Sequence, residues 1–342
     1  MYQHGGDIYN HNIKLDFSSN VNLLGIPQGV IQAACEGVTL SNCYPDTQCH
    51  QLREAISTAE QIPMEQIICG NGAADLIFSI VLSKKPKKAL IAIPTFNEYE
   101  QALQMMDCEM NYYQTKENTN FTLQEDFLQF ITDKVDIIFL CSPNNPTGNL
   151  IGRKLMEEIL KQCEKNNVLL VVDECFMDFV QDPKAYTMKD LCNRSKNLFI
   201  LKAFTKLYAM PGLRLGYGIC SDKELINRMK LSSQPWNVSI PAQMAGIAAL
   251  KETEYVKQSM EVLKEERAYL INELTNLRFR LYESMANYIF FKAEKGLYEK
   301  CLNKGILIRD CSNYKGLEEG YYRIVIKTRH ENRQLINALM GE

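Results

Sequence analysis

From residue 66 onward, short runs of Ile, Val, Leu and Phe that are apolar on both faces alternate with amphipathic stretches, and nothing else in the chain constrains its fold as much. A strand wet on one side alternates apolar with polar residues. A strand-length run that is apolar throughout must be covered on both faces, the condition of a parallel sheet between helices. Residues 66–69, 89–93, 136–141, 168–173, 197–201 and 215–220 are such runs. Residues 74–83, 97–106, 123–131 and 153–166 carry helical spacing between them. The alternation predicts a doubly wound α/β sheet.

Near residue 239 the pattern changes. Residues 240–250 and 254–276 read as helices, the second long and heavily charged, as suits a passage from one unit to another. Beyond it, 280–282, 287–293, 307–309 and 321–326 read as strands and 297–303 and 330–340 as helices, a smaller α+β unit that the N-terminal segment joins. The expected division is therefore 40–250 for the large unit and 1–39 with 251–342 for the small one. A chain of 342 residues, 46% apolar and 23% charged, can bury the cores this needs.

Composition excludes several functions. A formal net charge of -3 argues against a strongly basic nucleic-acid binder, and Lys84-Lys85-Pro86-Lys87-Lys88 reads as a solvated turn before a buried strand. Twelve cysteines without a CxxC pair suit neither a disulfide framework nor a zinc site and read as small buried hydrophobes in a reducing cytoplasm. The four histidines form no metal-ligand pattern. No apolar run approaches the roughly 18 residues of a membrane span, and the start lacks a cationic stretch followed by an apolar one.

Four segments carry chemistry. Cys69-Gly-Asn-Gly-Ala-Ala-Asp75 leads from a strand into a helix, and its glycines and free amides make an anion cradle. Ser142-Pro-Asn-Asn-Pro-Thr-Gly148 makes a tight turn at the carboxyl end of a strand, where α/β sheets bind ligands, although such a sequence also serves as a plain turn. Asp173 ends the next strand, where a buried carboxylate needs a cationic partner unless it caps a helix. Lys206 lies among Phe204, Leu207 and Tyr208, so desolvation would lower its pKa and make its amine a nucleophile for an aldehyde; Arg214 follows eight positions on.

In this order and spacing the four segments resemble the aspartate-aminotransferase superfamily of pyridoxal-phosphate enzymes, over nearly the whole chain. The resemblance implies fold type I: a large domain with a mostly parallel mixed sheet between helices, plus a smaller α+β domain. It implies pyridoxal 5'-phosphate held by Lys206 as a Schiff base, with Asp173 on the pyridinium nitrogen keeping the ring an electron sink. Asn145 would bond the ring's phenolic oxygen, Phe96 would stack on the ring, and Gly72, Ala73, Thr205 and Arg214 would hold its phosphate. Tyr44 resembles a tyrosine that reaches the phosphate from a neighbouring subunit, which implies a homodimer. Two positions depart from the family: Phe176 stands where Asp-x-x-Tyr is usual, and Ala203 where a hydroxyl residue often assists the phosphate.

Within the superfamily the chain is most similar to the threonine-phosphate decarboxylases of cobalamin synthesis and next to the histidinol-phosphate aminotransferases. His4-Gly-Gly, Leu15-Asp-Phe-Ser-Ser-Asn-Val-Asn, Phe176-Met-Asp-Phe, Pro235-Trp-Asn-Val and Leu307-Ile-Arg-Asp-Cys-Ser-Asn-Tyr, followed by Tyr321-Tyr-Arg-Ile, carry that likeness. It implies decarboxylation of O-phospho-L-threonine to (R)-1-amino-2-propanol O-2-phosphate, with phosphoserine as a further substrate; transamination of histidinol phosphate is the alternative. Arg323 would bind the α-carboxylate, and Arg309, His4 and Asn20 the substrate phosphate, since guanidinium groups pair bidentately with both anions. A terminal segment bearing His4 or a surface ion pair of Arg309 would be the plainer accounts of those residues. Leu23 and Lys327 replace residues usual in the family, and Trp236 either lines the pocket or anchors its loop.

Overall fold

In a computed structural model, which describes residues 4–340, β1 (Leu15–Asp16), α1 (Gln28–Thr39) and α2 (His50–Glu60) precede a seven-stranded sheet. Its strands are β2 (Ile67–Gly70), β3 (Lys88–Ile93), β4 (Glu109–Gln114), β5 (Ile137–Cys141), β6 (Leu169–Asp173), β7 (Leu198–Ala203) and β8 (Gly216–Ile219), in the spatial order β2-β8-β7-β6-β5-β3-β4. Helices α3 (Ala73–Lys84), α4 (Glu98–Gln104), α5 (Arg153–Asn166), α6 (Phe204–Leu207) and α7 (Lys223–Ser232) follow β2, β3, β5, β7 and β8. Strands β3 to β7 pair in parallel, and β8, between β2 and β7, runs opposite to the other six.

Side chains of the central strands are buried on both faces, as their apolar runs predict. In β5 and β6, Ile138, Leu140, Leu170 and Val172 enter one apolar cluster while Ile137, Phe139, Leu169 and Val171 enter another on the opposite face. Helix α5 closes the first face with Met156, Ile159, Leu160 and Cys163. Strand β4 carries no such signal: it is the edge strand, its burial alternates, and Glu-Met-Asn-Tyr-Tyr-Gln lacks a continuous apolar run. The helix expected over 123–131 is instead a 3-10 turn, Glu125–Phe130, that buries only Phe127.

After α8 (Ile240–Ala249) and α9 (Thr253–Asn276) come β9 (Arg280–Leu281), β10 (Tyr288–Lys292), α10 (Leu297–Asn303), β11 (Ile306–Leu307), β12 (Arg309–Asp310), β13 (Tyr321–Val325) and α11 (Arg329–Met340). Strands β12-β13-β10-β9 form an antiparallel sheet. The single strand expected over 307–309 is two: Leu307 pairs with Asp16 of β1, while Arg309 pairs with Arg323 of β13. Phe17 is fully buried in the cluster of Leu263, Leu270, Tyr288 and Ile324, so the N-terminal segment is built into the C-terminal unit. Helix α1 lies against α8, where a Cβ on Gly37 would stand 2.7 Å from Pro241 Cα.

Candidate active site

Five loops leave the same edge of the large sheet because β2, β3, β5, β6 and β7 point the same way. After β2 comes the cradle. Gly72 sits at φ +86°, a left-handed conformation that suits glycine, and a Cβ there would lie 2.6 Å from the Arg214 guanidinium. Arg214 itself adopts φ 56° at the end of a 3-10 turn and donates to the Pro211 carbonyl at 3.2 Å. The Asp75 carboxylate accepts from the backbone of Asn71 and the side chain of Asn237, each at 2.8 Å, and so ties the cradle to the loop before α8. Gly72, Ala73 and Arg214 therefore come together at the N-terminus of α3, the arrangement expected of an anion site.

Asp173 is buried at the end of β6 and accepts from the Tyr99 hydroxyl at 2.6 Å and the Cys175 amide at 3.0 Å. Burial and the Asp173 carboxylate hold the Tyr99 phenol well above its usual range. Phe96, the expected stacking residue, meets Tyr99 edge-on with ring centroids 5.6 Å apart. Lys206 follows β7 on α6, its ammonium 5.7 Å from the centre of the Phe176 ring. Burial, reinforced by Arg323 and Arg214 and opposed by Cys175 and Glu98, brings its pKa down to about 8. About a tenth of the amine is then free at pH 7, far more than for an ordinary lysine, as aldehyde capture requires. Thr205 beside it is buried.

The second sheet brings its residues to the same place. The Asn145 carboxamide oxygen accepts from Tyr314 Oη at 3.2 Å and from Arg323. Tyr314 thus supplies a hydroxyl at Asn145 from the C-terminal unit, although Phe176 carries none. Arg323 also donates to the Ser18 carbonyl at 2.7 Å, lies over the Tyr288 ring, and keeps its buried Nε without a partner. Arg309 is buried beside it on β12, over the Tyr314 ring at 5.0 Å, and donates to Asn313 Oδ1 at 2.7 Å. The Asn20 side-chain oxygen is likewise buried and unpaired. His4 is carried to the site by Gly5 and Gly6, which pack so closely on Ser18 and Ser19 that a Cβ on either would collide; the Gly6 amide donates to Ser18 Oγ at 2.7 Å.

Some residues are placed elsewhere. Tyr44 is 79% exposed and stacks on Trp236 with centroids 4.6 Å apart, so Trp236 anchors that surface pair. Lys327 pairs with Glu331 at 2.7 Å. Glu98 and Tyr99 went unnoticed in the sequence, although Pro94-Thr-Phe-Asn-Glu-Tyr puts both within one turn of Phe96.

The class I and II aminotransferase model matches residues 12–339. The chain belongs to that family. Its members use pyridoxal 5'-phosphate, and so does this enzyme. The residues fit the group: a low-pKa lysine, a buried carboxylate at the sheet edge, a carboxamide, an aromatic ring and a guanidinium-bearing cradle occupy one edge. Threonine-phosphate decarboxylase of Salmonella typhimurium is 36% identical over 95% of this chain and 90% of its own. The solved histidinol-phosphate aminotransferase of Clostridium acetobutylicum has a TM-score of 0.89 at 34% identity, covering 96% of this chain and 98% of its own. The L-threonine-O-3-phosphate decarboxylase structure from Porphyromonas gingivalis has a TM-score of 0.84 at 25% identity, covering 96% and 98%. Among the described residues, no helix is long and apolar enough to cross a membrane.

Proposed function

We propose that the enzyme decarboxylates O-phospho-L-threonine to (R)-1-amino-2-propanol O-2-phosphate in cobalamin synthesis, with phosphoserine as a weaker substrate. The observation that carries the reading is the direct opposition of Arg309 and Arg323 on paired antiparallel strands, both side chains buried. Like charges placed opposite each other on a sheet are destabilising, and backbone partners there lie only about 4.5–5.5 Å apart. A short molecule bearing a carboxylate and a phosphate neutralises both at once. The names of the relatives from Salmonella and Porphyromonas agree. A phosphoserine substrate lacks one methyl group, worth about 1–3 kcal/mol in a pocket.

In this reading Arg323 takes the α-carboxylate through its free Nε and aims the bond to be broken. Arg309, His4 and Asn20 take the phosphate. Lys206 would hold the cofactor at rest and Asp173, held by Tyr99, would pair with its ring nitrogen; Asn145 would bond the ring oxygen, and Phe96 and the Gly72, Ala73, Thr205 and Arg214 cradle would hold the ring and its phosphate. The bound cofactor supplies an electron sink for the pair left at Cα. Lys206 then returns a proton to Cα, which completes an amine product.

The same proposal takes the enzyme as a cytoplasmic homodimer in which Tyr44 enters the neighbouring site. Its large unit is 40–250, and 1–39 with 251–342 close over the substrate. The exposed Leu231, Trp236 and Tyr44 side chains support a partner surface. Phosphothreonine should release carbon dioxide without a keto acid. Turnover that requires 2-oxoglutarate and acts on histidinol phosphate would replace this reading with the aminotransferase.

A further inference from the structure

Glu98 opens α4 directly beneath His4. Its Oε1 lies 3.2 Å from His4 Nδ1, its side chain is 13% exposed, and its Oε2 is buried without a partner. The groups that face it are His4 from the N-terminal segment, Lys206 from α6, Arg309 from β12, Asp173 from the end of β6, and Tyr314 from the loop after β12. A carboxylate beside the proposed phosphate contacts repels the ligand that the site is built for. That cost calls for an account.

The number of protons on the pair decides whether it repels or donates. With Glu98 ionised and His4 neutral, the imidazole proton sits on Nδ1, facing the carboxylate, and Nε2 presents a lone pair. Such an edge cannot donate to a phosphate oxygen. One added proton changes this wherever it resides: on Glu98 it donates to Nδ1 and leaves hydrogen on Nε2, and on His4 it makes both nitrogens donors. The pair then carries no net charge and offers a donor.

We propose that Glu98 is a positioning residue that fixes His4 through a shared proton, so that docking of a dianionic phosphate takes up one proton at the Glu98–His4 pair. This deepens the proposed function and rests on its placement of the substrate phosphate at Arg309 and His4; it holds equally for phosphothreonine and histidinol phosphate. The electrostatics agree, since burial pushes the Glu98 carboxyl up to about 7, with Asp173 adding to it and Lys206 and Arg309 opposing. Burial and Arg309 lower His4. Above neutrality the resting pair has therefore lost the proton, and affinity for a dianion should fall about tenfold per pH unit.

The test is calorimetry of 3-phosphoglycerate binding to the holoenzyme at pH 7, 8 and 9, in buffers of different ionisation enthalpy. This probe carries a carboxylate and a phosphate but no amine to react with the cofactor, and its phosphate, with a second pKa near 6, is already a dianion in that range. Wild type should take up close to one proton at pH 8 and weaken about tenfold from pH 8 to 9. Glu98→Gln, which can donate to Nδ1 without being ionised, should bind with no proton uptake and an affinity that no longer changes with pH. His4→Ala removes the donor and leaves the buried Glu98 carboxyl to take up the proton, so it should keep the uptake and bind about tenfold more weakly at pH 7. Undiminished uptake in Glu98→Gln, or unchanged affinity in His4→Ala, would overturn the proposal. Failure of wild type to bind the probe would overturn both the proposal and the phosphate placement, whereas a keto-acid requirement in turnover assays would alter the reaction and leave the proton linkage standing.

Discussion

Gly72→Ala should weaken cofactor binding although the substitution adds only a methyl group. The new Cβ would lie 2.6 Å from an Arg214 nitrogen where ordinary contact begins at 3.4 Å, so the guanidinium must retreat by about 0.8 Å. A charged hydrogen bond near 2.8 Å then stretches to about 3.6 Å, where it no longer counts as one. Hydrogen bonds to charged groups contribute about 1.5–3 kcal/mol, so the dissociation constant for pyridoxal phosphate should rise about 10- to 150-fold. An alanine held at φ +86° adds about 1–2 kcal/mol of strain to the folded state, which lowers stability without changing the direction of the binding effect. Absorbance titration of apoenzyme measures the constant. Arg214→Met should show a loss of the same size, and the double variant little more, because both remove one contact. Binding within threefold of wild type for Gly72→Ala would refute the cradle geometry.

Capture of pyridoxal phosphate by apoenzyme should speed up as pH rises and level off above about 8, the value set for Lys206 by burial and by Arg323 and Arg214, rather than climb towards 10.5 as for an ordinary lysine; stopped-flow absorbance follows it. Lys206→Ala should lose the visible band of the lysine-bound cofactor. Lys202→Met should lower stability by about 3 kcal/mol in denaturant titrations, because Lys202 is buried 2.7 Å from Asp178 and 3.4 Å from Glu60, and its loss removes the cation from Asp178 while Glu60 keeps Lys189 at 2.6 Å. Inactive Lys206→Ala and Tyr44→Ala subunits, mixed and allowed to exchange, should regain turnover through hybrid dimers in which one site has both residues; no recovery would remove Tyr44 from the neighbouring site.

Legibility tracked the distance over which each signal acts. Strands β5 and β6 were readable because burial on both faces leaves an unbroken apolar run, whereas edge strand β4 and the 3-10 turn over Glu125–Phe130 bury too few side chains to set a period. Asp173, Asn145 and Lys206 stood out because each ends or follows a strand with its turn chemistry beside it. Tyr99 reaches Asp173 across 74 residues and Tyr314 reaches Asn145 across 169, and no local pattern reports such a meeting. The split of 307–309 had the same origin: Leu307 and Arg309 belong to different sheets because their partners, Asp16 and Arg323, lie far apart in sequence.

A net charge of -3 conceals how the charges are sorted. Away from the cleft, cations are matched locally: Lys202 and Lys189 outweigh the burial of Glu60 and, with the Tyr217 hydroxyl, hold its carboxyl at about 2, and Lys327 pairs with Glu331. At the cleft the matching is withheld. Among the described residues, Arg323 donates to neutral oxygens, of Asn145, Tyr314 and Ser18, and its Nε has no partner. A guanidinium satisfied by a carboxylate would gain nothing from substrate, whereas one held by weaker neutral acceptors keeps most of its interaction energy for an incoming anion. Glu98 is the exception that supports this sorting, because its pKa near 7 lets it shed its charge when that anion arrives. In the proposed function, differential charge satisfaction, and not a surplus of basic residues, is what would let an acidic chain receive phosphate and carboxylate.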